Sequence, residues 1–206
     1  MQDRTEKKGT RGRPREFDPA AALAQATDVF WTQGLAATSL ADLAAAMSMN
    51  RPSIASAFGD KETIYRQALD GFADATKAHV AAVLSEHDDL RDALTAFYRA
   101  ALEVYFASDP APGCFVMCTA PAEALSHPQV RNDLQKLLGD LDGILAARFE
   151  RAKRDRQLPA GMEPRAAARI AQGVLHSIAI RARAGSSRAS LRRMADDAVR
   201  LLAGGR

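Results

Sequence analysis

The fold of this chain is decided by residues 34–62, which read GLAATSLADLAAAMSMNRPSIASAFGDKE. Two short apolar stripes at helical spacing flank a turn at residues 48–50. Ser39 with Asp42 fits a capping box before the first stripe, and Asn50 is a favoured cap before the second. Two short helices joined by such a turn predict a helix-turn-helix, whose second helix enters a DNA major groove. Two helices packed in an ordinary bundle would leave the same pattern.

Helical signals continue on both sides of this stretch. Upstream, Asp18 and Pro19 are favoured at a helix start, and Gly34 is expected to end that helix as a left-handed residue. Alternating β-branched runs are absent, so we predict an all-α fold of about nine helices. A fourth helix is expected after residues 59–60, and later ones over residues 90–107, 115–125, 128–154, 164–184 and 188–202.

The composition is that of a globular protein with a basic N-terminus. Of the 206 residues, 47% are hydrophobic and 26% are charged, which is enough apolar material for a real core. The net charge of +3 equals that of residues 1–16 alone, where six basic side chains face three acidic ones. A basic arm on a neutral body suggests a polyanionic partner, although a solvated tail would look the same. We find no transmembrane run or secretory signal and expect a cytoplasmic protein without a cofactor or bound metal.

The block from Phe17 to Tyr65 resembles the DNA-binding domain of the TetR (tetracycline repressor) family of bacterial transcriptional regulators. The resemblance implies an all-helical homodimer with an inducer cavity in its C-terminal half. It divides the chain into a basic flexible arm (1–16), a helix-turn-helix domain (17–65) and an effector-binding and dimerisation domain (66–206). The residues that carry it are Ala26, Phe30, Gly34-Leu35-Ala36-Ala37-Thr38-Ser39-Leu40, Leu43-Ala44, Met47, Arg51-Pro52-Ser53-Ile54 and Phe58-Gly59-Asp60-Lys61-Glu62.

The chain departs from this family at two positions of its recognition helix. The family usually carries an aromatic residue after the apolar position that Ile54 fills, and this chain has Ala55. Two residues further on, a large polar side chain is common, and this chain has Ala57. In relatives these side chains help to hold the phosphate backbone, so the basic arm is a candidate to replace them.

The start of the second short helix is predicted to read bases. The guanidinium fork of Arg51 suits O6 and N7 of guanine, with a phosphate contact as the alternative. Pro52 offers an apolar edge for a thymine methyl group. Ser53 lies on the same turn, where its hydroxyl is within reach of a base or a phosphate.

Three further residues and the arm are predicted to bind phosphates or the minor groove. Thr38 and Ser39 lie at a helix N-terminus, which favours an anion, although plain helix capping would place the same residues there. Lys61 meets a phosphate by resemblance to the family. In the arm, Gly and Pro keep the chain narrow, and the arginines suit an A·T minor groove, as in an AT-hook. These arginines are Arg11, Arg13 and Arg15.

A small-molecule effector is expected among the helices of residues 90–180. Apolar and aromatic side chains there are candidates to line a cavity, although for each of them core packing is the favoured interpretation. Cys114 and Cys118 are expected to be free thiols, with a redox or electrophile switch as the alternative. The candidate lining residues are Phe97, Tyr98, Tyr105, Phe106, Met117, Cys118 and Phe149, with His176 as a polar handle.

The last two helices are expected to pair two subunits into a four-helix bundle. Two-fold pairing would present two recognition helices to a palindromic duplex, about 34–36 Å apart. The competing interpretation is that these helices only cover the core of one subunit. The apolar residues that recur at helical spacing are Ala167, Ile170, Ala171, Val174, Ile178, Leu191, Met194, Ala198 and Leu201.

Two other classes of function are alternatives to a transcriptional regulator. An enzyme is disfavoured because the sequence has no catalytic triad context, Gly-rich phosphate loop or HExxH motif, and its four histidines are scattered. A structural nucleoid-type protein would bind DNA with little sequence preference and would lack a cavity. The sequence therefore favours a ligand-responsive regulator, with repression expected and activation left open.

Overall fold

The computed structural model describes residues 17–204, and within them the chain forms nine α-helices and no strand. This confirms the predicted all-α fold with an N-terminal helix-turn-helix. The helices are α1 Pro19–Ala37, α2 Leu40–Ala46, α3 Arg51–Phe58, α4 Lys61–Ser85, α5 Leu90–Tyr105, α6 Phe115–Glu123, α7 Pro128–Arg154, α8 Pro164–Arg183 and α9 Arg188–Leu202. None of these helices is both long and apolar enough to cross a lipid bilayer.

The predicted caps start the helices of the N-terminal region. The Asp18 carboxylate accepts a hydrogen bond from the backbone N–H of Ala20 at 2.9 Å. Ser39 and Asp42 form the reciprocal capping box at the start of α2. The side chain of Asn50 accepts from the N–H of Ser53 at 2.8 Å, which fixes the start of α3. Because free N–H groups at a helix start need partners, these short polar side chains set where each helix begins.

The helix α1 does not end at Gly34 as predicted but breaks there and then continues. Gly34 has φ 78° and ψ 173°, and a further turn runs to Ala37. This conformation is not the left-handed one expected of a C-terminal glycine. The extra turn inserts Leu35 into the core, where it is 1% exposed. The burial of Leu35 accounts for the continuation of the helix beyond the break.

The long helix α4 connects the first three helices to the rest of the chain. It packs against α1 as well as against α5, α6 and α7. The helices α7 and α8 pack along each other, and α9 covers α5 and α8. One buried cluster runs from Ala22 to Leu202 through both parts. The predicted boundary at residues 65 and 66 lies inside α4, so the division into two domains stays a prediction.

Candidate DNA-binding surface, cavity and dimer face

The recognition helix α3 has one face in the core and one face in solvent. Ile54 and Phe58 are 1% and 6% exposed and belong to the buried core, and α3 packs against α2. Arg51, Pro52 and Ala55 lie on the exposed side of the same helix. The side chain of Ser53, in the first turn of α3, is only half-exposed. A side chain as long as Arg51 at the exposed start of a helix is well placed to reach base edges in a groove.

Of the two residues predicted at the start of α2, only Ser39 is exposed. Thr38 is 1% exposed, and its hydroxyl donates to the carbonyl of Gly34 at 2.6 Å. The Ser39 hydroxyl donates to Asp42 at 2.7 Å and accepts from the Asp42 N–H at 3.1 Å. Both hydroxyls therefore have partners within the protein. The predicted phosphate contacts at these residues stay predictions.

Lys61 lies at the start of α4 and closes the end of α1. Its ammonium donates to the carbonyls of Leu35 and Thr38, both at 2.8 Å. These carbonyls belong to the last turn of α1, where helical partners run out. The sequence did not indicate this contact, because its partners lie 23 and 26 residues earlier in the chain. The predicted phosphate contact of Lys61 is untested.

The predicted arm residues Arg11, Arg13 and Arg15 lie outside the described residues. The description begins at Phe17, whose ring lies 6.0 Å from the ring of Phe58 between centroids. Phe58 is the last residue of α3. The chain therefore enters the N-terminal helices beside the recognition helix, and its minor-groove role stays a prediction.

A second contact surface joins α1 to the C-terminal helices, and we call it the α1 junction. Arg183 at the end of α8 donates to the carbonyls of Trp31 at 2.8 Å and Thr32 at 3.0 Å. The same guanidinium donates to the carbonyl of Pro112, before α6, at 3.2 Å. The break at Gly34 removes the regular helical partners that the carbonyls of Trp31 and Thr32 would find further along α1. Arg183 thus caps a helix of the N-terminal region from the far end of the chain.

Glu123 supplies the opposite charge at the α1 junction. Its carboxylate is mostly buried and accepts the backbone N–H of Ala36 at 3.1 Å. His127 lies between this carboxylate and Glu62 of α4, with Nε2 3.6 Å from Glu123 and Nδ1 3.1 Å from Glu62. The polar groups freed by the break in α1 are therefore held by α6 on one side and by α8 on the other.

An apolar cavity of about 250 Å³ lies between α4, α5, α8 and the start of α6. Burial raises the pKa of the Cys114 thiol to about 11 and raises that of Tyr105 well above its usual range. Both wall groups are therefore neutral near neutral pH. The lining residues are Phe72, Ala75, Thr76, His79, Val80, Val83, Phe97, Ala100, Ala101, Val104, Tyr105, Cys114 and Leu175.

Of the predicted lining residues, the structure brings Phe97 and Tyr105 to this cavity. The hydroxyl of Tyr98 instead donates to the carbonyl of Ala171 at 2.9 Å, and its ring is buried. Phe149 is fully buried in the core. The remaining residues of the prediction, which the structure places outside the lining, are Phe106, Met117, Cys118 and His176.

The prediction omitted α4, which supplies almost half of the cavity wall. Phe72, Val80 and Val83 recur at helical spacing on α4. This spacing is the feature of the sequence that could have identified α4 as part of the cavity wall. The prediction placed the cavity among the helices of residues 90–180, and these residues of α4 lie before that range. Cys114 and Cys118 are both free thiols, as expected. Cys114 is the N-cap of α6, so the two cysteines do not both lie within the helix.

The predicted dimer residues divide between the protomer's own core and its surface. Ile170 is 54% exposed and Leu201 is 75% exposed, and a further large apolar residue of α8, Ile180, is 53% exposed. Val174 and Met194 are half-buried. The residues that lie in the core of the single chain are Ala167, Ala171, Ile178, Leu191 and Ala198.

Comparison with known proteins finds family models and relatives that match both parts of the chain. The family model described as bacterial regulatory proteins, tetR family, matches residues 22–68, and the tetracyclin repressor-like C-terminal domain matches residues 90–198. The chain is 28% identical over 195 residues to the HTH-type transcriptional repressor ComR of Escherichia coli (strain K12), covering 94% of this chain and 93% of ComR.

Two solved structures extend the comparison. The TetR family transcriptional regulator CifR, as a cysteine mutant complexed with 26 bp double-strand operator DNA, superposes with a TM-score of 0.80. It is 30% identical and the match covers 91% of this chain and 98% of that one. Escherichia coli NemR in its reduced form shares the fold, with a TM-score of 0.78 at 18% identity, over 90% of this chain and 97% of that one.

Proposed function

Because this chain belongs to the TetR family of bacterial transcriptional regulators, we propose that it is a repressor that binds a palindromic operator as a homodimer and leaves it when a small molecule binds. The observation that carries the proposal is the exposed face of α3, which opens at Arg51 and is held to the core by Ile54 and Phe58. ComR is named a repressor, and CifR is complexed with operator duplex DNA. These relatives support double-stranded DNA as the partner.

Arg51 is the principal base reader of this proposal. A bidentate contact from its guanidinium to guanine contributes about 1–3 kcal/mol of discrimination against another base. Pro52 and Ala55 beside it offer only apolar edges, which suit thymine methyl groups. Ser39 and the arginines of the arm supply phosphate and minor-groove contacts, which raise affinity without reading sequence.

The operator experiment is selection of bound duplexes from a random pool with the purified chain. We expect a two-fold symmetric consensus with half-sites about one helical turn apart. Arg51→Ala should cost about 1–3 kcal/mol on the selected site and relax the preference at one base pair of each half-site. The control is Arg154→Ala, an exposed arginine at the end of α7, which should bind like the parent. A consensus without symmetry, or none, contradicts the proposal.

The dimer of the proposal is formed by α8 and α9. Ile170 and Ile180 on α8 and Leu201 on α9 are large apolar side chains left in water on a single chain. A second copy related by a two-fold axis would cover them, and burial of apolar surface drives such association. Gly173 is exposed on the same helix and permits close approach of a partner helix.

The association experiment places a charge on this face. Ile170→Asp should shift the solution mass, measured by light scattering, from two chains towards one, because an unpaired carboxylate would be buried at the interface. The control is Leu125→Asp, since Leu125 is 91% exposed in the connection after α6 and belongs to neither α8 nor α9. Equal behaviour of the two variants would remove α8 from the proposed interface.

The effector of the proposal occupies the cavity between α4, α5, α6 and α8. Ligand pockets are concave and mostly apolar with few polar groups, as this cavity is. Its walls include α4, which follows the recognition helix α3 directly in the chain and packs against α1. A ligand that prefers one arrangement of these helices shifts the population of DNA-binding dimers. A thermal-shift screen detects such a ligand, because it stabilises the folded chain.

A further inference from the structure

The wall of the cavity carries no formal charge. Its lining residues include no Asp, Glu, Lys or Arg. The polar atoms of the wall belong to Thr76, His79, Tyr105 and Cys114, and the rest is aliphatic or aromatic. Transfer of an unpaired charge into such a wall is strongly unfavourable, because nothing in it replaces the lost water. A ligand with a carboxylate, phosphate or ammonium group would meet no Asp, Glu, Lys or Arg there, and only hydroxyl, thiol and imidazole groups to hydrogen-bond with.

Two titratable groups of the wall lie in the same apolar surroundings. Burial raises the pKa of the Cys114 thiol from 9.0 to about 11, so its neutral form is favoured about a hundredfold more than in water. The pKa of Tyr105 is also raised by burial. A charge brought in by a ligand would meet the same surroundings as a charge formed on Cys114.

The volume of the cavity limits the size of its ligand. An engineered apolar cavity of about 150 Å³ holds benzene, and this cavity has about 250 Å³. One substituted ring or a small bicyclic molecule matches that space. His79 is exposed while Val80 beside it is buried, so α4 presents the opening of the cavity at the side of His79.

Phe72 touches both the cavity and the N-terminal helices. It lines the cavity, and its ring packs edge-on against Trp31 of α1 with centroids 5.2 Å apart and planes at 82°. It also meets Phe115 of α6 at 5.7 Å, while Trp31 and Phe115 lie 5.8 Å apart. Three rings in mutual contact leave little free space, so a displacement of one moves the others. Trp31 is the residue whose carbonyl Arg183 holds at the α1 junction.

We propose that the cavity binds a compact, uncharged, largely apolar molecule, and that Phe72 is the residue that transmits its binding to Trp31 and hence to the DNA-binding helices. This inference rests on the proposed function, for which it names the class of effector. Cys114 takes part as a neutral wall group and forms no covalent bond in this scheme.

The test of ligand class uses three probes of one shape: cyclohexylmethanol, cyclohexanecarboxylate and cyclohexylmethylammonium. The chain contains one tryptophan, Trp31, so its emission reports the neighbourhood of Phe72 without labelling. Near neutral pH, we expect saturable changes in Trp31 emission with the alcohol and binding at least about tenfold weaker with either ion. None of the probes absorbs where tryptophan is excited, so the signals compare directly.

Cavity binding is separated from surface binding by a matched pair of variants. Ala101 lines the cavity, and Ala101→Phe should fill it and abolish the response to the alcohol. Ala81 is exposed on α4 and lies outside the lining, so Ala81→Phe should respond like the parent. Thermal melting of both variants without probe shows that each is folded.

Transmission through Phe72 is tested with a second pair. In Phe72→Leu, the alcohol should still raise the melting temperature, but the change in Trp31 emission and the release of operator DNA at saturation should fall at least about threefold. Phe97 also lines the cavity, but its ring lies tilted against that of Tyr98 within α5, with centroids 4.9 Å apart. Phe97→Leu should change the affinity for the alcohol and leave both responses at saturation intact.

Three results overturn the inference. They are equal or tighter binding of either ion, no saturable binding of the alcohol up to its solubility, and full transmission in Phe72→Leu. If an ion of the panel binds best and releases DNA, the proposed function stands and only the ligand class is wrong. If the selected DNA shows no symmetric site, the proposed function fails whatever the probes do.

Discussion

At Gly34, one added methyl group should destabilise the chain without crowding any neighbouring atom. Its φ of 78° and ψ of 173° lie in a region that is almost exclusive to glycine. A Cβ at Gly34 would meet no atom within 4 Å, so the cost of Gly34→Ala is conformational and not steric. Backbone strain of this kind costs about 1–3 kcal/mol, and the reduced entropy of the unfolded chain offsets about 0.4–1 kcal/mol. We expect the free energy of unfolding to fall by about 1.3 kcal/mol, the difference between the midpoints of these ranges, within limits of about 0 and 2.6 kcal/mol.

The assay for Gly34→Ala is urea unfolding followed by circular dichroism at one fixed protein concentration, because association would otherwise shift the midpoint. The control is Gly71→Ala. Gly71 lies inside regular helix α4, is exposed, and also has no atom within 4 Å of a Cβ. There the substitution should stabilise the chain by about 0.5–1 kcal/mol, since alanine is the better helix former. Two changes of the same sign would refute this explanation, because Gly71 lies in a regular helix and Gly34 has non-helical backbone angles.

Three other changes have expected outcomes. Arg183→Gln removes the donors to the carbonyls of Trp31 and Thr32, and since Arg183 is exposed we expect a loss of about 1 kcal/mol in urea unfolding and a change in Trp31 emission. Burial raises the pKa of Cys114 from 9.0 to about 11, so the thiol contributes stability below pH 9 that is lost as the pH rises towards 11. Urea unfolding across that interval should show a smaller loss in Cys114→Ala. Deletion of residues 1–15 should weaken operator binding and flatten its dependence on salt, and an unchanged slope in a salt titration would exclude the arm.

Where each helix begins was largely predictable, because a helix start depends on residues close together in the chain. Asp18, Ser39 and Asn50 cap the helices that follow them, as their residue types indicated. Gly34 was predicted to end α1 in a left-handed conformation, but α1 breaks there with other backbone angles and continues for one more turn. That turn depends on burial of Leu35 against residues distant in sequence, and local pattern carries no information about such a contact.

The site was less predictable than the fold, because its contacts join distant parts of the chain. Arg183 is 152 residues from Trp31, and its sequence context is simply that of a basic residue in the last turn of a helix. Lys61 matched a family position, yet its ammonium also closes the end of α1. Tyr98 and Tyr105 are both tyrosines of α5. Only the direction in which each side chain leaves the helix makes Tyr98 a core residue and Tyr105 part of the cavity wall.

The strength of coupling between effector and operator can be compared with the contacts that would transmit it. A tenfold change in DNA affinity corresponds to about 1.4 kcal/mol. One hydrogen bond to a charged group contributes about 1.5–3 kcal/mol, and less when the group is exposed, as Arg183 is. Loss of the Arg183 contacts, at about 1 kcal/mol, therefore falls short of tenfold release by itself, so further contacts of the α1 junction or the aromatic rings beside it have to rearrange as well. Linkage also requires that operator DNA weaken effector binding by the same factor, so equal effector affinity for the free and the DNA-bound dimer would contradict coupling through any path in this fold.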